Sequence, residues 1–530
     1  MGRPLRTALL VAACAIAAPA QSPAPQAALA AQISTLLASP AVSRAHWGIE
    51  VATPDGTPIY ALNEAQYFQP ASNAKLFTTA AALALLGPNT TFDTRVLAEG
   101  PIANGILRGN LVLRGAGDAN LSARPIPYTP AHTPNPTPPL HILDELADQI
   151  AATGLKEITG DLLGDDTLFP FEPYAPDWAL DDTPWGYGAP VNALTINDNQ
   201  LKLTVSPTVP QSPAAVTLNP ASPYYTVDNE VLTTPAKTRT WIGIDRSSTN
   251  QSGIDHAPGS KTLRLFGTIA ADAPPDAEEI AIDDPATYAA LSLKIALEAR
   301  GILVHGAAQA RHRTPTAQSN FQEQATKPLA LTAGPTPPIS GTALATHRSP
   351  TLAEDVTVTN KVSQNLHAEL LLHHLAVTFG DPSTPLTDNG STPQGVRVVR
   401  QFLLNAGLDK DDFVFFDGSG LSGHDLVTPR SIIQLLAFAS NQLWFPIYKA
   451  SLPLAGVDGS LETRFAKSPV KGLLSAKTGT LGEARALSGY LRCASGRTVL
   501  LTILVSTHSP ANAADRTTMD KIVEAIAAAE

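Results

Sequence analysis

Ala71-Ser72-Asn73-Ala74-Lys75-Leu76-Phe77, with the apolar run that continues to Leu86 and stops at Gly87-Pro88, decides how the chain is read. A serine and a lysine three residues apart at the start of a helix stand one turn apart on the same face, so the amine reaches the hydroxyl. That pair is a nucleophile with its own base. The pattern alone is a weak signal, and it recurs at Ser468 to Lys471 without an apolar helix after it. After Lys75 the residues are nearly all apolar, which predicts a helix buried on every side and ended by Gly87-Pro88.

Around that stretch the 530 residues carry 44% apolar and 16% charged residues, enough for a large core in two to four domains. Lys and Arg number 36 against 47 Asp and Glu, a net charge of -11 with no basic run, which argues against nucleic acid as a partner. The N-terminus has two arginines, an apolar run from Thr7 to Ala18, and Ala18-Pro19-Ala20 before Gln21. This is the pattern of a secretory signal over 1–20, too short to remain as a membrane span. A competing reading takes Val11-Ala12-Ala13-Cys14 as a lipid-attachment box, so membrane association is at most peripheral or by a lipid anchor. With the signal removed, Cys493 stands alone, and the fold is held by its core rather than by a disulfide.

Further along, His46 to Asn63 alternates around Pro54-Asp55-Gly56 and predicts a hairpin. Two strands follow (Phe92 to Leu97, Leu107 to Leu113), then a proline-rich surface excursion over 124–139 and an amphipathic helix from Leu140 to Thr153. Between about 158 and 270 lie short strand-like runs, and Asp284-Pro285 starts a helix ended by Gly301. The stretch 308–342 is polar and proline-bearing and is expected to be a linker or long loop. A helical region over 351–378 contains Ser363-Gln364-Asn365. The end of the chain predicts three antiparallel strands (Gly472 to Gly479, Ala484 to Cys493, Arg497 to Ser506) and a closing helix, hence an α+β layered domain.

Three signals therefore stand in order: Ser72-x-x-Lys75, Ser363-x-Asn365 and Lys477-Thr478-Gly479, the last unique in the chain. Their contexts are a helix start, a polar turn between helices and the edge of a terminal strand. Together they resemble the motif set of the serine-type penicillin-binding enzymes. The resemblance is closer to the D-alanyl-D-alanine carboxypeptidase/endopeptidase group with large domains inserted between the first two motifs, since the interval from Ser72 to Ser363 is long and that from Ser363 to Lys477 short. Tyr187-Gly188-Ala189-Pro190-Val191, Asp417-Gly418-Ser419-Gly420-Leu421-Ser422 and Gly456-Val457-Asp458-Gly459 look like that group's secondary landmarks, and Gln364 departs from its usual Asp.

The resemblance implies a β-lactamase/DD-transpeptidase-like antiparallel sheet flanked by helices, with mainly β accessory domains. It puts the catalytic unit at 21–90 and 340–530, an inserted domain at 91–117 and 200–339, and a nested one at 118–199. It also implies an acyl-enzyme on Ser72, Lys75 as base, Ser363 passing the proton to the leaving amine, and Asn365 holding Lys75 and the substrate amide. The backbone N–H groups of Ser72 and Thr480 would form the oxyanion hole, and Lys477, Thr478, Gly479 and Thr480 would bind a terminal carboxylate. Peptidoglycan stem peptides are then the substrate, β-lactam antibiotics acylating inhibitors, and the periplasm or cell envelope the location; no cofactor or metal is called for.

The chemistry sets a requirement of its own. Lys75 is a base only as the neutral amine, and bringing a lysine from about 10.4 to near 7 costs about 4 to 5 kcal/mol, which desolvation and the second cation Lys477 must supply. Two alternatives are weighed. A β-lactamase or esterase of the same fold deacylates with a carboxylate or tyrosine placed on a water; the glutamates between Asn365 and Lys477 are Glu369, on a helix, and Glu462, and Ser363 is not a tyrosine. A non-catalytic wall-binding protein has no need of the five motif residues. His367, His373 and His374 lie on an apolar helix and are read as packed histidines rather than metal ligands, and Asp118 and Asp417 as turn-formers.

Overall fold

The computed structural model describes residues 25–130, 133, 135–244, 260–316, 320–334, 340–383, 390–509 and 513–530; the expected export segment 1–20, with Cys14, lies outside them. The chain is α+β. Its organising sheet has five antiparallel strands in the order Pro58–Leu62, His46–Ala52, Thr498–Ser506, Ala484–Arg492, Leu474–Leu481. Sequence reading expects three strands here. The hairpin around Asp55-Gly56 supplies the other two, because Trp47 to Ala52 pair with Val505 to Leu500 from the far end of the chain.

Both faces of this sheet are covered, which explains its dense β-branched and aliphatic content. Leu500, Leu504, Ala486 and Tyr490 face one core together with the helix Ala74–Leu85, while Leu501, Ile503, Leu487 and Leu491 face another with Ile522 and Ile526. The alternation follows from the two-residue period of a strand. The helix Ala74–Leu85 has buried residues at every position from Ala74 to Leu83, as its composition predicts, and Gly87 follows it at φ +88°. The helices Pro25–Leu37 and Ala514–Ala529 pack on each other over the second face.

Strand pairing moves several edges expected from the sequence. A second five-stranded sheet has the order Ala308–Arg311, Leu162–Asp165, Asn110–Arg114, Asp93–Glu99, Thr342–Arg348. Thr342–Arg348, placed by sequence with the catalytic unit, is thus an edge strand of the inserted region. Leu162–Asp165, placed in a nested domain at 118–199, is interior to the same sheet. The part enclosed by this outer layer is instead 200–281, whose strands pair among themselves in two three-stranded sheets. The stretch 308–342, read as a linker, holds the strand Ala308–Arg311 and the helix Phe321–Thr326. Its strand takes its hydrogen bonds from Leu162–Asp165, so composition cannot announce it. No helix among the described residues is long and apolar enough to cross a membrane.

Candidate active site

Ser72 sits in the 3-10 turn Ala71–Asn73, against the edge strand Leu474–Leu481. The turn is held from several sides. Asn73 Nδ2 donates to Ser488 Oγ at 2.7 Å, Thr78 Oγ1 to the Gly418 carbonyl at 2.7 Å, and Tyr448 OH to the Leu76 carbonyl at 3.0 Å. Ala71, just before the nucleophile, has φ +45°, a conformation that persists only where the surroundings over-determine it.

Lys75 is fully buried, and its Nζ donates to Ser72 Oγ at 2.9 Å, Asn365 Oδ1 at 2.6 Å and the Ser419 carbonyl at 2.7 Å. Burial pushes this amine down to about 8; Asp417, Glu369 and Asp425 pull the other way and keep it from falling further. Lys477, also fully buried, donates to Ser363 Oγ at 2.8 Å and to the Thr478 carbonyl at 2.9 Å. Burial, with the nearby Lys75, holds it well below the ordinary lysine range. Ser72, Lys75, Ser363, Asn365 and Lys477 therefore form one linked set across three distant stretches of chain. Thr478 and Thr480 lie on the same edge strand, Thr478 sharing a 2.6 Å hydrogen bond with Ser460, and the Gly479 backbone packs on Pro70 and Ala71.

Sequence reasoning missed most of the support. The Ser419 carbonyl is aimed at Lys75 because Asp417 folds its loop: that carboxylate accepts N–H bonds from Ser419, Gly420 and Ser422 and the indole N–H of Trp178. Asp417 is thus a turn-former, as its place beside glycine suggests. Gly420, at φ +80°, lets that loop approach the nucleophile turn; a Cβ there would lie 1.8 Å from the Ala71 carbonyl oxygen. Glu369 is fully buried and accepts from Gly418 N at 3.1 Å, so it braces the loop. Burial, then Asp417, raises its carboxyl.

A second buried network holds the Ser363-Gln364-Asn365 turn, in which Ser363 has φ +63°. Gln364 Nε2 donates to Asp198 Oδ2 at 3.1 Å, and Asp198 also takes Arg124 and lies 3.3 Å from His367 Nε2. His367 Nδ1 is 2.7 Å from Asp355. Burial pushes the imidazole down, but the two aspartates outweigh it and raise it to about 9. His373 and His374 are packed and neutral, lowered by burial to about 3 and about 4. The proline-rich excursion is not remote either: its Tyr128 OH accepts from Gly459 N at 3.2 Å. From the separate 187–191 stretch, the Tyr187 carbonyl accepts from Asn365 Nδ2 at 2.8 Å. Lys361 closes the rim with both oxygens of Asp458 at 2.7 Å.

A buried amine near 8 at hydrogen-bond distance from a serine hydroxyl, with a second buried lysine on a neighbouring serine, is equipped for acyl transfer. The family model of D-Ala-D-Ala carboxypeptidase 3 (S13) matches residues 29–332 and 329–528. The chain is 32% identical over 472 residues to a D-alanyl-D-alanine carboxypeptidase of Actinomadura sp. (strain R39), covering 87% of this chain and 77% of that one. It is 25% identical over 465 residues to D-alanyl-D-alanine carboxypeptidase DacB of Haemophilus influenzae, covering 87% and 85%. The crystal structure of penicillin binding protein 4 (dacB) from Haemophilus influenzae superposes with a TM-score of 0.72 over 93% of this chain and 98% of that one, at 22% identity. Family model, relatives and fold agree, and the chain belongs to the D-Ala-D-Ala carboxypeptidase 3 (S13) family.

Proposed function

We propose that Ser72 is the acylated nucleophile, Lys75 its base, and Ser363, Asn365 and Lys477 the groups that move the proton and hold the substrate. The chain is a serine-type D-alanyl-D-alanine carboxypeptidase acting on peptidoglycan. What supports the assignment of roles most directly is the 2.9 Å hydrogen bond from Lys75 to Ser72 in a site that keeps the amine near 8. At neutral pH a usable fraction of Lys75 is unprotonated, and it takes the hydroxyl proton as Oγ attacks the carbonyl of the penultimate D-alanine. The oxyanion is received by the N–H groups of Ser72 and Thr480. Collapse breaks the amide bond; the proton reaches the leaving amine through Ser363, and D-alanine departs with its carboxylate released from Thr478, Gly479 and Thr480. Water then hydrolyses the ester on Ser72 by the reverse proton path.

A β-lactam presents an amide and a carboxylate to the same groups, and its ring-opened ester stays attached to Ser72. Peptide cross-links that end on a D-amino acid carboxylate fit the same reading as endopeptidase substrates. The signal at 1–20 carries the enzyme to the periplasm or envelope, where these substrates lie. Intact-mass measurement after mixing with a penicillin, beside Ser72→Ala, tests the assignment. A stable one-to-one adduct absent from the variant is the expected result; an adduct on the variant, or none on either protein, removes Ser72 from the role.

A further inference from the structure

Against the strand that carries Lys477-Thr478-Gly479 lies a cavity of about 440 Å³, with Thr478 and Thr480 on one side and Arg464, Arg485 and Arg516 on another. Arg485 stands opposite Thr480 in the ladder, and Arg516 comes from the helix Ala514–Ala529. Two carboxylates answer the three guanidinium groups: Arg464 Nε donates to Asp520 at 2.6 Å, and Arg485 pairs with Asp515. Arg516 is exposed and has no ion pair among the described residues, and Arg464 Nη2 is buried without an acceptor. Burial, then the neighbouring Arg516 and Arg485, push the Arg464 guanidinium below its ordinary range against the pull of Asp520. The cavity thus holds an excess of positive charge and an N–H group in want of an acceptor, the complement of a carboxylate.

We propose that this cavity is a subsite for a second carboxylate, carried by the side chain of the amino acid that leaves. The inference rests on the reading above that Thr478 and Thr480 hold the leaving residue's α-carboxylate. A D-alanine leaving group ends at those threonines. A D-residue with a longer acidic side chain continues past them to the arginines, so peptides of the form acyl-D-alanyl-D-Xaa with acidic Xaa are the substrate class. The bond broken and the proton path are unchanged; only the leaving group gains a second ionic contact.

The test compares two N-acylated peptides identical up to the penultimate D-alanine, one ending in D-alanine and one in D-glutamate, on the wild type, Arg516→Ala and Arg516→Glu. Arg516 is exposed, so both variants fold. The ratio of kcat/KM for the acidic peptide over the alanine peptide is expected to fall about three- to tenfold in Arg516→Ala and further in Arg516→Glu, chiefly through KM, and to fall in the wild type as salt is added. An equal ratio in all three proteins, or a wild type that does not cleave the acidic peptide, overturns the subsite. Penicillin labelling of Ser72 separates the two readings: with labelling and D-alanine release intact, an unchanged ratio removes the arginine subsite alone, whereas loss of labelling removes the functional reading and the subsite with it.

Discussion

Lys75 Nζ donates to Asn365 Oδ1 across 2.6 Å, joining positions 290 apart in the chain. The acceptor is an uncharged amide, so the contact orients the amine without stabilising its charged form as a carboxylate would. Asp417, Glu369 and Asp425 act on it without a direct hydrogen bond, so burial dominates and the amine stays near 8.

The acylation rate of the wild type is therefore expected to rise with pH through about 8, as Lys75 loses its proton. Asn365→Asp puts a charge where the amide was. It should raise the Lys75 pKa by about one to two units and slow acylation about ten- to a hundredfold near neutrality. Stopped-flow acylation by a chromogenic cephalosporin across the pH range reads both effects, and an unmoved midpoint in the variant would contradict the assignment of Lys75 as base.

Gly420→Ala probes the close approach of two loops. Its Cβ would lie 1.8 Å from the Ala71 carbonyl oxygen at a backbone φ of +80°, so either the Asp417 loop or the nucleophile turn must move. A displacement of about 1 Å at reacting groups costs about a hundredfold in rate. Penicillin labelling should slow by that order while circular dichroism stays that of the wild type; near-normal labelling would mean that the Ser419 carbonyl is not needed to hold Lys75.

His367 gives stability a pH dependence of definite sign. Its folded pKa, about 9, lies above the ordinary imidazole value of 6.5, so its ion pairs with Asp355 and Asp198 contribute fully below about 6.5 and are lost as pH rises through about 9. The melting temperature of the wild type should fall over that window, and His367→Gln should start lower and lose the slope. Asp198→Ala leaves Arg124 and the imidazolium without a shared anion and is expected to cost about 3 to 5 kcal/mol in chemical denaturation. A melting curve flat in pH for the wild type would refute a charged His367.

Cys493 is 4% exposed, and burial raises its thiol to about 11. Ellman's reagent should leave Cys493 unmodified in the native protein and modify it after denaturation, as peptide mapping of the labelled chain would read.

The legible parts of the molecule were those whose physics is local. The Ser72 helix shows in a nearly all-apolar run, the first hairpin in Asp55-Gly56, and the helix Pro285–Glu298 in an aspartate cap that accepts from Thr287 N, with proline at its first position. Motif order and context were enough to pick out Ser72, Lys75, Ser363, Asn365 and Lys477 as candidates. The Ser419 carbonyl was invisible because every residue has a carbonyl and only the fold aims it. Asp198 and His367 were invisible because a buried ion pair is specified by packing between stretches that sequence does not connect. The inserted sheets were misdivided for a similar reason: Ala308–Arg311 and Thr342–Arg348 are short and mixed in character, and they become strands only through partners elsewhere.

The pairing of His46–Ala52 with Thr498–Ser506 also sets an order in time. A chain emerging from its N-terminus carries Ser72 and Lys75 early, yet the strand on which their sheet centres, Thr498–Ser506, is made long after them, and Lys477 comes only shortly before it. The inserted sheets, whose partners lie between 93 and 348, can form while the nucleophile turn still has nothing to lean on. Until Thr498–Ser506 is made, the sheet behind Ser72 and Lys75 lacks its middle, and the loss of that one strand would silence the hydrolase as surely as the loss of Ser72.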